Sequence, residues 1–101
     1  MVVRKRGDVK KAVEEVLSIA ALEGRASLNG GPNGTMQIAE IRAEIKVLKG
    51  WEPLAAAVQN VLKRGSTGPN TIFEKVDKDG FTITGGHHGF WRIRRESDSA
   101  S

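Results

Sequence analysis

Residues Thr35–Arg64 read TMQIAEIRAEIKVLK, then Gly50-Trp51-Glu52, then PLAAAVQNVLKR. In the first part Ile38, Ile41, Ile45 and Leu48 recur at spacings of three, four and three, which places them on one helical face. Gly50 suits the left-handed position just past a helix end. Pro53 suits the first turn of a following helix, where its missing N–H costs nothing. From Leu54 onward, steps of 100° gather Leu54, Ala57, Val58, Val61 and Leu62 into one apolar stripe. The opposite face carries Ala56, Gln59, Asn60 and Lys63, with Arg64 beside it and no acid after Glu52. Two helices joined by a short turn, the second offering amides and cations but no carboxylate, suit base edges and phosphates.

Around this pair the chain is one domain of 101 residues, long enough for a modest core. Apolar residues make up 39% and charged residues 28%, which places it among ordinary globular proteins. The net charge of +4 and an isoelectric point near 9.8 favour a polyanionic partner. The absence of cysteine removes disulfides, thiolate metal sites and cysteine nucleophiles, and it fits a reducing compartment. No apolar run is long enough for a membrane span and no apolar signal core opens the chain. The expected location is therefore cytoplasmic and nucleoid-associated, or nuclear, with no membrane partner.

Before the pair, residues 1–7 hold Arg4, Lys5 and Arg6 in succession, a basic arm that is either a solvated end or a contact for phosphates or a minor groove. Asp8 is placed to cap a first helix. Its stripe is Val9, Ala12, Val13, Val16, Ile19 and Ala20, and Gly24 supplies the stop. Lys10–Glu14 and Lys11–Glu15 are spaced as i,i+4 pairs on the wet side. Arg25–Gly34 is a loop dense in turn formers. It lacks the Lys-Ser/Thr ending and the preceding strand of a phosphate-binding loop, so no nucleotide site is expected. Ala26–Leu28 reads as a short strand, the first of a small sheet. Thr35 is placed to cap the second helix. On one flank of that helix Arg42, Lys46 and Lys49 form a basic rail, and Glu40 and Glu44 lie on the other. The rail is either a solvated face or a contact for the DNA backbone.

Past the pair the chain changes character. All five aromatic residues lie beyond position 50. TIFEKVD and FTIT flank Lys78-Asp79-Gly80, a hairpin signal, and Gly85-Gly86-His87-His88-Gly89 leads into a third strand, FWRIR. Phe81 and Ile83 alternate with Thr82 and Thr84, and Trp91 and Ile93 with Arg92 and Arg94, so each strand should bury one face. Residues 96–101 are a polar, aperiodic tail. His87 and His88 are adjacent in an extended segment, so their side chains diverge and one metal ion cannot easily take both. They read as turn residues able to donate to phosphate. No metal site, cofactor or catalytic constellation is expected.

Helix, short strand, helix, helix and a glycine-tipped hairpin is the order of a winged helix, an α+β fold of a three-helix bundle with a small antiparallel sheet. The chain resembles a winged helix–turn–helix domain over about residues 8–95, and its second half is similar to the HARE-HTH group. The residues concerned are Ile38-Ala39-Glu40-Ile41, Trp51-Glu52-Pro53, Ile72-Phe73-Glu74-Lys75-Val76 and Gly89-Phe90-Trp91-Arg92-Ile93. The GGPNG loop and the added turn through GGHHG depart from the group's pattern.

That resemblance implies a module linking DNA-associated machinery to DNA. With the residue pattern it sets the expectation of a non-enzymatic domain that binds double-stranded DNA in transcription regulation or DNA targeting. The third helix would enter the major groove, with Gln59 and Asn60 at base edges, Ala56 at a thymine methyl, and Lys63 and Arg64 on phosphates. Lys78, His87, His88 and Arg92 would carry the wing onto backbone or minor groove. The alternative is a winged helix used for protein–protein contact or self-association. Leu22 and Val47, which lie opposite the apolar stripes of their helices, would then mark the docking surface.

Overall fold

The computed structural model describes residues 6–68, 71–83 and 89–94. Three helices, α1 (Arg6–Glu23), α2 (Ile38–Lys49) and α3 (Ala55–Gly65), precede two strands, β1 (Phe73–Val76) and β2 (Phe90–Ile93), in a small α+β domain. The strands pair antiparallel with Phe73 opposite Ile93 and Val76 opposite Phe90. A bridge between Met36 and Trp91 adds the segment before α2 to the free edge of β2. Met36 and Trp91 exchange both backbone hydrogen bonds, at 2.9 and 2.8 Å.

The core forms where α1 meets α2, α3 and β2. Val13, Leu17, Ala20, Ile41, Ile45, Val58 and Leu62 are fully enclosed, and Phe73 and Trp91 close the sheet side. The helical periodicity chose most of these correctly. It also named residues that stay wet. Leu54 is 74% and Leu48 44% exposed, because Leu54 is the residue before α3 and Leu48 belongs to the last turn of α2. Phe81, expected inside, is 70% exposed. Residues 81–83, the described part of the FTIT segment, do not form a strand of the sheet. Thr82 makes an isolated bridge to Val76, and Asp77 closes a turn by accepting from the backbone N–H groups of Asp79 and Phe81, each at 2.9 Å. That turn carries the Phe81 side chain outward.

The helix boundaries differ from expectation for local reasons. α1 begins at Arg6, so Asp8 lies inside its first turn rather than at its cap. Thr35 does not cap α2. It is fully buried, its hydroxyl donating to the Pro32 carbonyl at 2.5 Å. Gln37 is the cap, in a reciprocal capping box with Glu40, whose carboxylate accepts from the Gln37 N–H at 2.9 Å. Gly50 does take the left-handed conformation, with φ 82°, and its N–H donates to the Lys46 carbonyl. Pro53 stands two residues ahead of α3, which starts at Ala55.

The Ala26 segment does not join the sheet either. It bridges Asn33 across its own loop. A Cβ placed on Gly31 would stand 2.6 Å from the Phe90 ring and from the Thr35 hydroxyl, so the absence of a side chain there is a packing requirement. The GGPNG loop thus lies against Phe90, which is buried. Among the described residues no helix is long and apolar enough to cross a membrane.

Candidate nucleic-acid interface

α3 turns Val58, Val61 and Leu62 inward and leaves Ala56, Gln59, Asn60, Lys63 and Arg64 exposed. Positions 56, 59, 60 and 63 form one continuous stripe on a 3.6-residue helix. Among the described residues, none of the four polar side chains is held by a hydrogen bond or ion pair. No carboxylate lies on the helix, and Lys63 and Arg64 fall in its last turn, where cations complement the negative end of the helix dipole. The Ser66 N–H and hydroxyl and the Thr67 hydroxyl all donate to the Lys63 carbonyl, at 3.3, 3.0 and 3.3 Å. The terminal carbonyls are thereby satisfied without recruiting the lysine side chain.

Two fastenings set the pose of α3. At its start, Arg42 Nε donates to the Pro53 carbonyl at 2.8 Å and its Nη2 lies 3.7 Å from Glu52. At its end, Gly65 lies so close to the Phe73 ring that a Cβ would overlap it, and the Gly65 carbonyl accepts from the Ile72 N–H at 2.7 Å. The helix is therefore pinned to both α2 and β1.

The expected basic rail on α2 is divided by these contacts. Arg42 holds the turn, and Lys49 lies 2.6 Å from Glu15 of α1, which takes that acid from its expected partner Lys11. Lys46 remains exposed, with no partner among the described residues. The acidic flank is committed as well. Glu44 is 2.6 Å from Arg25, and Glu40 accepts from the Ser27 hydroxyl at 2.5 Å and the Leu28 N–H at 2.9 Å. Partial burial alone would raise the Glu40 pKa. The hydrogen bonds from Ser27, Leu28 and Gln37, with the charge of Arg25, outweigh it and hold the carboxyl below its ordinary range. The Arg25 pKa is raised in turn by its hydrogen bond to Glu44 and by the charge of that carboxylate.

On the other side of α3, an open groove of about 1020 Å³ runs between α3, the start of α2 and the sheet. Gln59 and Lys63 form one wall, and Lys75, Trp91 and Arg94 stand on the other. Lys75 Nζ lies 5.8 Å from the centre of the Trp91 ring, its partner across the strands. Arg94 donates to the Thr71 hydroxyl. Sequence reading passed over both cations. The register that sets Lys75 opposite Trp91 was the missing information.

The expected wing contacts are dispersed. Arg92 is half-buried, its Nε donating to Glu74 at 2.5 Å, so it stabilises a cross-strand pair rather than presenting a free cation. Lys78 is exposed at the hairpin turn, flanked by Asp77 and Asp79. His87 and His88 lie outside the described residues, as do Arg4 and Lys5. Arg6 opens α1, and its side chain is likewise outside the description.

Among the described residues no cluster of three or more His, Cys, Asp or Glu side chains is arranged to hold a metal ion. What α3 can do chemically is donate and accept neutral hydrogen bonds at its centre and offer positive charge at its end. Compared with family models, with curated proteins and with solved structures, the chain matches none of them.

Proposed function

We propose that this chain is a non-enzymatic winged helix–turn–helix domain that binds double-stranded DNA, as a regulatory or DNA-targeting module. The element order supports the fold: α1, the Met36 edge segment, α2, α3 and a hairpin. The observation that carries the function is the exposed stripe on α3, amides at Gln59 and Asn60 followed by cations at Lys63 and Arg64, with no acid on the helix. Asn and Gln amides match the paired donor and acceptor of adenine in the major groove, and terminal cations match phosphates. Titrating labelled duplex with the protein at several salt concentrations tests it. Binding should weaken steeply as salt rises, and absence of binding at low salt would overturn the reading.

A second reading, contact with a partner protein or a second copy, is favoured by Leu22, Val47 and Leu54, which are 87%, 82% and 74% exposed. Sedimentation of the free protein over a concentration series tests self-association.

A further inference from the structure

We infer that the groove between α3 and the sheet takes one sugar–phosphate strand of the bound duplex, with Lys75 and Arg94 as its anchors on the sheet wall. This assignment rests on the DNA-binding reading and extends it to a surface beyond the α3 stripe. The groove is continuous with that stripe, because Gln59 and Lys63 belong to both. A helix whose outer face meets base edges brings a strand of the backbone alongside its flank, and here that flank is the groove wall.

Charge decides the occupant. Among the described residues three cations, Lys63, Lys75 and Arg94, line the groove against one carboxylate, Glu74. Glu74 is paired with Arg92 at 2.5 Å, so its charge is compensated within the sheet. The cationic groups are also placed in advance. The Trp91 ring lies beneath the Lys75 ammonium, and the Thr71 hydroxyl accepts from Arg94. Gly89 leaves room for the lysine in that position, since a Cβ there would stand 2.9 Å from two carbons of the Lys75 stem and from Ile83 Cδ1. Side chains held near their bound positions lose less entropy when they meet a ligand. A phosphodiester strand, regularly charged and able to accept from both groups, fits this wall.

The test is the salt dependence of binding to a short duplex for Lys75→Gln, Arg94→Gln and the double variant, beside the charge-preserving Lys75→Arg and Arg94→Lys. Lys10→Gln, an exposed cation of α1, is the control for net charge. Each Gln variant should lower the log–log slope by roughly 0.9, and the double variant by about twice that. The charge-preserving variants and Lys10→Gln should keep the parent slope. Thermal melts of every variant separate lost contacts from lost fold. If Lys63→Ala lowers the slope while Lys75→Gln and Arg94→Gln do not, the groove assignment is wrong and DNA binding by α3 stands. Parent protein that binds no duplex at low salt overturns both.

Discussion

Arg42, on the exposed basic flank of α2, directs its Nε–H onto the carbonyl of Pro53 at 2.8 Å and thereby fixes the turn from which α3 departs. A guanidinium that sequence alone offers to solvent or to a DNA backbone here clasps the helix pair. Arg42→Ala should cost about 1–2 kcal/mol of stability, the range for a partly solvated hydrogen bond from a charged donor. Duplex binding should weaken while the salt slope stays at the parent value, because no phosphate contact has been removed. A slope lowered by a full phosphate, with an unchanged melting temperature, would return Arg42 to the interface.

On the proposed DNA-binding reading, readout and anchoring on α3 should be separable. Lys63→Ala should weaken binding to all duplexes about equally and reduce the salt slope by roughly one phosphate's worth. Gln59→Ala or Asn60→Ala should cost about 1–3 kcal/mol on a preferred sequence and little on a scrambled one. Selection from random duplexes supplies the preferred sequence. Equal losses on both duplexes for all three variants would make the domain a non-specific binder.

The seat of α3 rests on a missing methyl. Gly65→Ala brings a Cβ into the Phe73 ring, and Phe73 is fully buried. Helix propensity favours alanine over glycine by about 1 kcal/mol, but overpacking a closed core costs about 1–3 kcal/mol. Denaturant unfolding should therefore register a net loss. At the centre of the same helix, Val58→Asp buries an unpaired charge at a fully enclosed site and should abolish cooperative melting.

Glu40 makes acid stability a local measurement. Its folded pKa lies below the ordinary 4.5, so its contribution is fully present above that value and is lost as pH falls through the folded pKa. Glu40→Gln should be less stable near neutral pH by about 1–3 kcal/mol, through the weaker acceptor it offers Ser27, Leu28 and Gln37. The gap between parent and variant should narrow below pH 4.5. A gap constant with pH would mean that the charge of Glu40 contributes nothing.

By itself the sequence determined the three helices, most of the inward faces of α1 and α3 (missing Leu17 and wrongly including Leu54), the left-handed stop at Gly50 and the amide and cation stripe from Gln59 to Arg64. These depend on interactions within a few residues of one another: apolar periodicity, glycine's access to positive φ, and the angular order of side chains on one helix. Tertiary structure alone decided which polar groups are committed. Arg42 to Pro53, Lys49 to Glu15, Arg25 to Glu44 and Arg92 to Glu74 each join segments that periodicity treats separately. The same holds for Phe81, whose alternation with Thr82 marked it as buried until the Asp77 turn carried it outward. Lys75 joined the groove only through its cross-strand register with Trp91. A side chain's sequence position fixes its face on an element, but whether that face meets solvent, a carboxylate or an aromatic ring depends on elements that only folding brings alongside.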